Sequence, residues 1–266
     1  KPPYPPEASM GIGPKGWVDR VFVSIVEDWA ARLLDFTTGA ADTVVVPRAN
    51  VAQVDGLAGV RRIKPIPGLL LSPTMFFTYY LELGIQTELY ANDTFGESGI
   101  PANFFNDNHT RRAFAHAFDY ENFTAQYYLG EATRPASLAI EGMLYYNPYQ
   151  EKWDYNLTKA EEEFKLAFGG TLESPGPLWT NGFTICLAYV PSAIPRDYYC
   201  CSMLKNATES LNPKFHCVLK PLFWFTEYLP AMKAHQLPVF FISWLADYAH
   251  PHSLFMPFMH SKGDYP

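Results

Sequence analysis

Three neighbouring stretches, "FTICLAYV" at residues 183–190, "RDYYCCSMLKNATESL" at 196–211 and "KFHCVLKPLFW" at 214–224, decide the fold. The outer two are short and rich in β-branched and aromatic residues, as buried strands are. The middle one is long enough for a helix. A strand, a helix and a second strand in that order return the chain to the same end of a sheet, so 183–189 and 215–220 are expected to be parallel neighbours. Downstream, "PVFFISWLADYAHPHSLFMPF" at 238–258 begins with another strand-like run, 238–244, and carries one acid, Asp247, in an otherwise apolar setting.

Upstream, "NLTKAEEEFKLAFGG" is the clearest helix, with Asn156 or Thr158 as its N-cap, acids in its first turns and Gly169 at its stop. A Thr158 cap would form a capping box with Glu161. "HTRRAFAHAFDYENFTAQYYLGEA" reads as a helix pair ending near Gly130, with Ala113, Phe114, Ala117 and Phe118 facing the core. "TELYANDTFGESGIPANFFNDN" reads as a long loop. Nearer the start, "VDRVFVSIV" predicts a strand, "EDWAARLLDFTTGAA" a helix ended by Gly39, and "DTVVVP" a short strand. Two further strand-like runs in 59–83 are split by prolines. The class is α/β.

The 266 residues carry a formal net charge of −7, which argues against nucleic acid, since phosphate-backbone binders concentrate Lys and Arg. No apolar run reaches the roughly 20 residues a membrane-spanning helix needs. The opening "KPPYPPEASMGIG" has neither initiator Met nor signal-peptide features, so it reads as a processed or truncated end. Cys186, Cys200, Cys201 and Cys217 match no zinc-binding spacing. Together with five N-x-S/T sequons, at Asn92, Asn108, Asn122, Asn156 and Asn206, their even number fits an oxidising, glycosylating compartment. The expected framework is at least one disulfide from helix to strand, joining Cys200 or Cys201 to Cys186 or Cys217, because a vicinal bridge would strain the helix.

Taken together, "FFNDNHTRRAFAHAFDYENFTAQYYLGEATRP", "GMLYYNPYQEKWDYNLTKAEEEFKLAF" and "FISWLADYAHPHSLFMPF" resemble, in order and spacing, the peptide-type solute-binding proteins of ABC importers, the oligopeptide- and dipeptide-binding group. The resemblance covers residues 17 to 262. It implies a type II periplasmic-binding-protein-like fold of two α/β lobes, present here as an incomplete chain. Residues 1–82 would be the later part of the first lobe and 83–266 most of the second, with "MFFTYYLEL" crossing near the hinge. The implied function is an extracytoplasmic receptor, at the cell surface or in the periplasm, that captures oligopeptides and delivers them to a membrane permease. No cofactor is implied, and membrane association would come only through an anchor missing from this sequence.

The same resemblance gives Asp247 a role. In peptide-binding members the Asp of a W-x-x-D-Y pattern pairs with the ligand's α-ammonium, and this chain has Trp244, Asp247 and Tyr248 at those positions, which makes all three ligand-binding candidates. A fixed carboxylate replaces the water an ammonium loses on enclosure. The structural alternative is a helix N-cap or turn acid ahead of Pro251. Where the family commonly has an acidic residue before that proline, this chain has Ala249 and His250, which alters the charge of the rim.

Other constellations read as structure. His250 and His252 flank a proline and project apart without completing a metal set. His116 and Asp119 are a local helix pair lacking a nucleophile, and Glu161, Glu162 and Glu163 are a solvated helical turn. Trp153, Trp179, Trp224 and Trp244 could stack on a sugar, so an oligosaccharide is the alternative ligand, though most such tryptophans are core. A secreted hydrolase is the competing class, but no activated nucleophile, metal set or separated acid pair supports it.

Overall fold

A computed structural model describes residues 20–26, 28–61, 70–82, 99–191, 196–248 and 250–265. The chain forms two compact units, Lys1–Val46 and Pro47–Pro266.

In the smaller unit, α1 (Trp29–Thr37) starts where the Asp28 carboxylate accepts the Ala31 N–H at 2.8 Å. Gly39, at φ 79°, leads out of it. The strands expected before and after α1 are not formed within 20–26 and 42–46, and Val21, Phe22, Val23 and Ile25 are 76–92% exposed. Strand propensity needs a neighbouring ladder to become a strand, and among the described residues this run has none.

The larger unit is built on a sheet of β1 (Leu70–Phe77), β2 (Phe183–Tyr189), β3 (Phe215–Pro221) and β4 (Val239–Leu245), in the order β1-β4-β2-β3. β2 and β3 are parallel neighbours as the sequence predicts, in register from Phe183↔Phe215 to Tyr189↔Pro221. β1 runs antiparallel to β4, with an irregularity between Leu71 and Thr74. Gly182, at φ 77°, makes the turn into β2, where a Cβ would collide with the Lys214 backbone.

The helices follow their caps. Asp107 opens α2 (Asn108–Ala117), Asp119 opens α3 (Tyr120–Tyr127) and Asn156 opens α4 (Leu157–Leu166), each side chain accepting a first-turn N–H. Asn156 rather than Thr158 is therefore the α4 cap. Short α5 (Pro177–Asn181) precedes β2, α6 (Arg196–Leu211) joins β2 to β3, a π-turn at Trp224–Tyr228 runs into α7 (Leu229–Lys233), and α8 (His252–Met259) follows β4.

The sheet packs against α2 and α4 through a chain of rings. Phe104, Phe105, Phe114, Phe164, Phe183 and Phe215 are all fully buried. Phe183 stacks on Phe215 at 4.4 Å, while Phe114 meets Phe105 at 5.2 Å and Phe164 at 5.3 Å edge-on. These are favoured ring geometries, and they account for much of the aromatic content. On the opposite face, Phe76 of β1 and Trp244 of β4 both pack on Phe258 of α8.

The disulfide expectation is overturned. All four cysteines are free thiols and buried. The strand–helix–strand unit does gather them in one layer, but they serve there as small apolar packing groups. A shared layer does not by itself supply the Cβ separation of about 3.8 Å a bridge needs. Burial pushes the Cys186 thiol up to about 12 and raises the other three as well. Of the sequons, Asn92 lies outside the described residues. Asn108 and Asn122 are exposed in first helical turns. Asn156 is occupied as a cap, and Asn206 is exposed on α6 with the Thr208 of its sequon fully buried.

Candidate functional site at the carboxyl end of the sheet

β2, β3 and β4 run in the same direction, so their carboxyl ends lie along one end of the sheet, where α/β folds open crevices for ligands. β2 and β4 meet only at Leu187↔Val239. Beyond that pair they part. The Phe241 N–H and C=O, which would continue the ladder toward β2, are instead both bonded to the Tyr228 hydroxyl, at 3.0 and 3.1 Å. Toward β3, by contrast, the ladder runs on past Tyr189↔Pro221, the Tyr189 carbonyl accepting the Leu222 N–H at 2.9 Å. The fully buried Tyr228 is thus a wedge between two strands, delivered by the π-turn.

An ion pair lies where the two strands part. Arg196, at the start of α6, donates from Nε to the Asp197 carboxylate at 2.6 Å and from its η-nitrogen to Ser243 Oγ of β4 at 2.6 Å. Asp197, with 3% of its side chain exposed, also accepts the Val190 N–H. Burial pushes its carboxyl up, against the pull of Arg196 and that N–H. One ion pair therefore ties the ends of β2 and β4 together where they separate. Tyr127 of α3 stands beside it, its phenol raised to about 12 by burial and by neighbouring groups that include Tyr128.

The three residues singled out in the sequence lie at the end of β4 but do not share one environment. Trp244 is half-buried against Phe258, at 5.2 Å edge-on, and against Tyr265, so it supports α8. Its indole N–H is buried without a partner. Asp247 is exposed, with its own N–H held by Ser253 Oγ at 3.1 Å. Ser253 is 5% exposed, so the acid stands on a fixed post. Among the described residues the Asp247 carboxylate makes no hydrogen bond or ion pair. The capping alternative does not apply, because the N-cap position of α8 is Pro251 and no side chain caps that helix. Tyr248 is half-exposed, and its hydroxyl lies 2.6 Å from His252 Nδ1.

The histidines do not gather. His250 Nδ1 accepts the His252 N–H at 3.1 Å, and among the described residues no three His, Cys, Asp or Glu side chains are placed to hold a metal ion. His116 faces Asp154 at 2.9 Å, while Asp119 caps α3, so the two do not form a dyad. Sequence reasoning missed Tyr228, Arg196, Asp197, Ser243 and Ser253. A signal existed for one pair only, the charged dipeptide opening a helix directly after a βα turn.

The profile of the bacterial extracellular solute-binding proteins, family 5, matches residues 12–266. The chain belongs to that family. No curated protein sequence matches it. Among solved structures, this family member is similar to the periplasmic binding protein DppA from Helicobacter pylori in complex with peptide STSA, with 18% identity, a TM-score of 0.63, and coverage of 86% of this chain and 38% of the other. It is similar to a dipeptide-binding protein from Pseudoalteromonas in complex with Met-Leu, at 15% identity and TM-score 0.63, over 88% and 40% of the two chains. It is also similar to NikA from Staphylococcus aureus in complex with Ni(L-His)2, at 14% identity and TM-score 0.60, over 90% and 43%. The expected type II periplasmic-binding fold class holds, and the chain spans about two fifths of the length of these structures. The family and these neighbours are binding proteins. Among the described residues no helix is long and apolar enough to cross a membrane.

Proposed function

We propose that this chain is the ligand-binding part of an extracytoplasmic receptor that captures oligopeptides by their free amino terminus for an ABC importer. The observation that carries this reading is Asp247, an uncommitted carboxylate on a fixed backbone at the carboxyl end of β4. An ammonium is the group that such an acid serves best, through a charge-assisted bond, while backbone pairing can hold the rest of a peptide without reading its side chains. Two of the similar structures hold peptides, which supports the choice of ligand. The lobe assignment, 1–82 and 83–266, belongs to the same proposal. Membership of a family of binding proteins supports a non-catalytic role outside the cytoplasm.

Calorimetric titration tests it. Asp247→Asn is expected to weaken binding of a free-amine tripeptide by roughly 10–100-fold and to leave its N-acetylated form unchanged, as the loss of one charged hydrogen bond predicts. Equal losses for both ligands would overturn the peptide reading. Cello- or manno-oligosaccharide binding that survives the substitution would move the assignment to a sugar.

A further inference from the structure

Three of the chain's seven histidines, His250, His252 and His260, border α8. Pro251, at the N-cap position, makes no side-chain bond, and the residue before it serves the helix instead. His250 Nδ1 accepts the His252 N–H at 3.1 Å, and its carbonyl accepts the Ser253 N–H at 3.0 Å. The other end repeats the arrangement. His260, the first residue past the helix, takes the Lys262 N–H on Nδ1 at 3.0 Å and the Gly263 N–H on its carbonyl at 2.7 Å. A backbone N–H only donates, so each of these ring nitrogens must carry a lone pair, which a neutral imidazole has and an imidazolium lacks. His252 is indifferent to its charge, because its Nδ1 faces the Tyr248 hydroxyl at 2.6 Å and a hydroxyl donates or accepts.

α8 in turn holds Asp247. The Asp247 N–H is bonded to Ser253 Oγ in the first turn of the helix, so the backbone of the acid follows that helix end. Around His250 stand the Tyr145 ring, 6.3 Å away and edge-on from the segment between α3 and α4, Asp247 and Tyr248 on its own turn, and His252 on α8. The positive end of α8 and a charged His252 oppose an imidazolium there, while Asp247 favours one. Around His260 stand Lys262 and Asp264, with Lys233 of α7 over the Tyr265 ring at 6.0 Å. The negative end of α8 favours a charge at His260, but the bond to Lys262 is lost all the same. His109 and His116 differ, since they face Glu163 at 2.6 Å and Asp154 at 2.9 Å, and a proton would tighten both pairs.

We propose that α8 is a pH-sensitive brace: neutral His250 and His260 close its two ends, and protonating them in mild acid opens both ends and loosens the turn that carries Asp247. A ligand held by Asp247 is then released as pH falls, a consequence that rests on the amine-binding reading above.

The test compares the full chain at about pH 7 and pH 5, a window in which ordinary imidazoles take up a proton while carboxylates and α-amines keep their charge. Amide exchange followed by NMR, corrected for the intrinsic rate at each pH, should show protection at His252 and Lys262 falling by about three- to tenfold in acid, as the loss of one hydrogen bond each predicts. Asp247 should follow, and α2, which carries His109 and His116, should not. His250→Asn combined with His260→Asn is the control, since an asparagine oxygen accepts the N–H two residues on and does not titrate. The double variant should keep its protection in acid. Unchanged protection in the unaltered chain, or a fall that persists in the double variant, would overturn the proposal. So would nitrogen shifts of the unaltered chain that show a protonated Nδ1 on either ring at about pH 7, a readout that does not depend on the variant folding. Calorimetry with trileucine then reads the site, and its affinity is expected to fall by a similar factor in acid for the unaltered chain and not for the double variant. No trileucine binding at either pH would overturn the amine reading and leave the brace to the exchange result. Binding that ignores pH while protection falls would overturn the release of ligand.

Discussion

β2 treats its two neighbours differently. Toward β3 it keeps an unbroken parallel register along its whole length, and the rings of Phe183 and Phe215 stack beneath it. Toward β4 it makes a single pair, Leu187↔Val239, and then gives way to a phenol and an ion pair. The first junction is held by apolar area and ladder bonds, and it leaves nothing for a ligand to contact. The second is held by side-chain chemistry, a phenol and an ion pair that stand where ladder bonds would be.

The comparison breaks most visibly on the cohesive side. Phe183→Ala removes a fully buried ring that touches Phe104, Phe114, Phe164 and Phe215, and should cost about 3–5 kcal/mol of stability in denaturant unfolding. Tyr228→Phe is smaller and sharper, since it deletes one oxygen but leaves the Phe241 N–H and C=O buried without partners. A loss of about 2 kcal/mol is expected. A neutral result there would mean that β2 and β4 close up on their own and that the wedge is not needed.

The next effect is a pH dependence at the far edge of β3. There the Glu209 carboxylate accepts the Cys217 N–H at 2.8 Å and pairs with Lys205, whose ammonium also donates to the Cys217 carbonyl at 2.7 Å. Burial raises the Glu209 carboxyl, but the Cys217 N–H and Lys205 outweigh it, and the group ends below its ordinary range. A carboxyl depressed in the folded state stabilises fully above its unfolded value and loses that contribution as pH falls through the folded value. Unfolding curves below about pH 4.5 should therefore be flatter for Glu209→Gln than for the unaltered chain. Smallest of all, Asp247→Asn should change stability by less than about 0.5 kcal/mol, because the acid is exposed and supports no bond from its carboxylate. A large loss of stability would place Asp247 among the structural acids and remove it from the site.

These four positions also mark what the sequence discloses. The parallel pairing of β2 with β3 and the end of β4 at Asp247 follow from periodicity and turn residues, which are local. Asn156 announces its helix for the same reason, whereas Asp119, which the sequence pairs with His116 on one helix, proves to be the cap that separates α2 from α3. The parting of β2 from β4 does not follow in that way, because it depends on how far two strands distant in sequence diverge, and nothing around Tyr228 announces that its oxygen will replace a ladder. The cysteines misled through an opposite route. Their spacing does place them in one layer, but an apolar layer holds thiols as readily as it holds a bridge. Residues 21–26 have a strand's composition and, among the described residues, no ladder to join.

The Lys205–Glu209 pair has a consequence for the molecule in concentrated solution. A sheet edge that offers open N–H and C=O groups is a template on which a second molecule can add a strand, and repeated addition makes fibres. On β3 the Cys217 groups that would face such a newcomer are already held by the two charged ends of one helical turn. An incoming strand would have to displace both charges at once, so edge-to-edge addition is opposed at this point of β3.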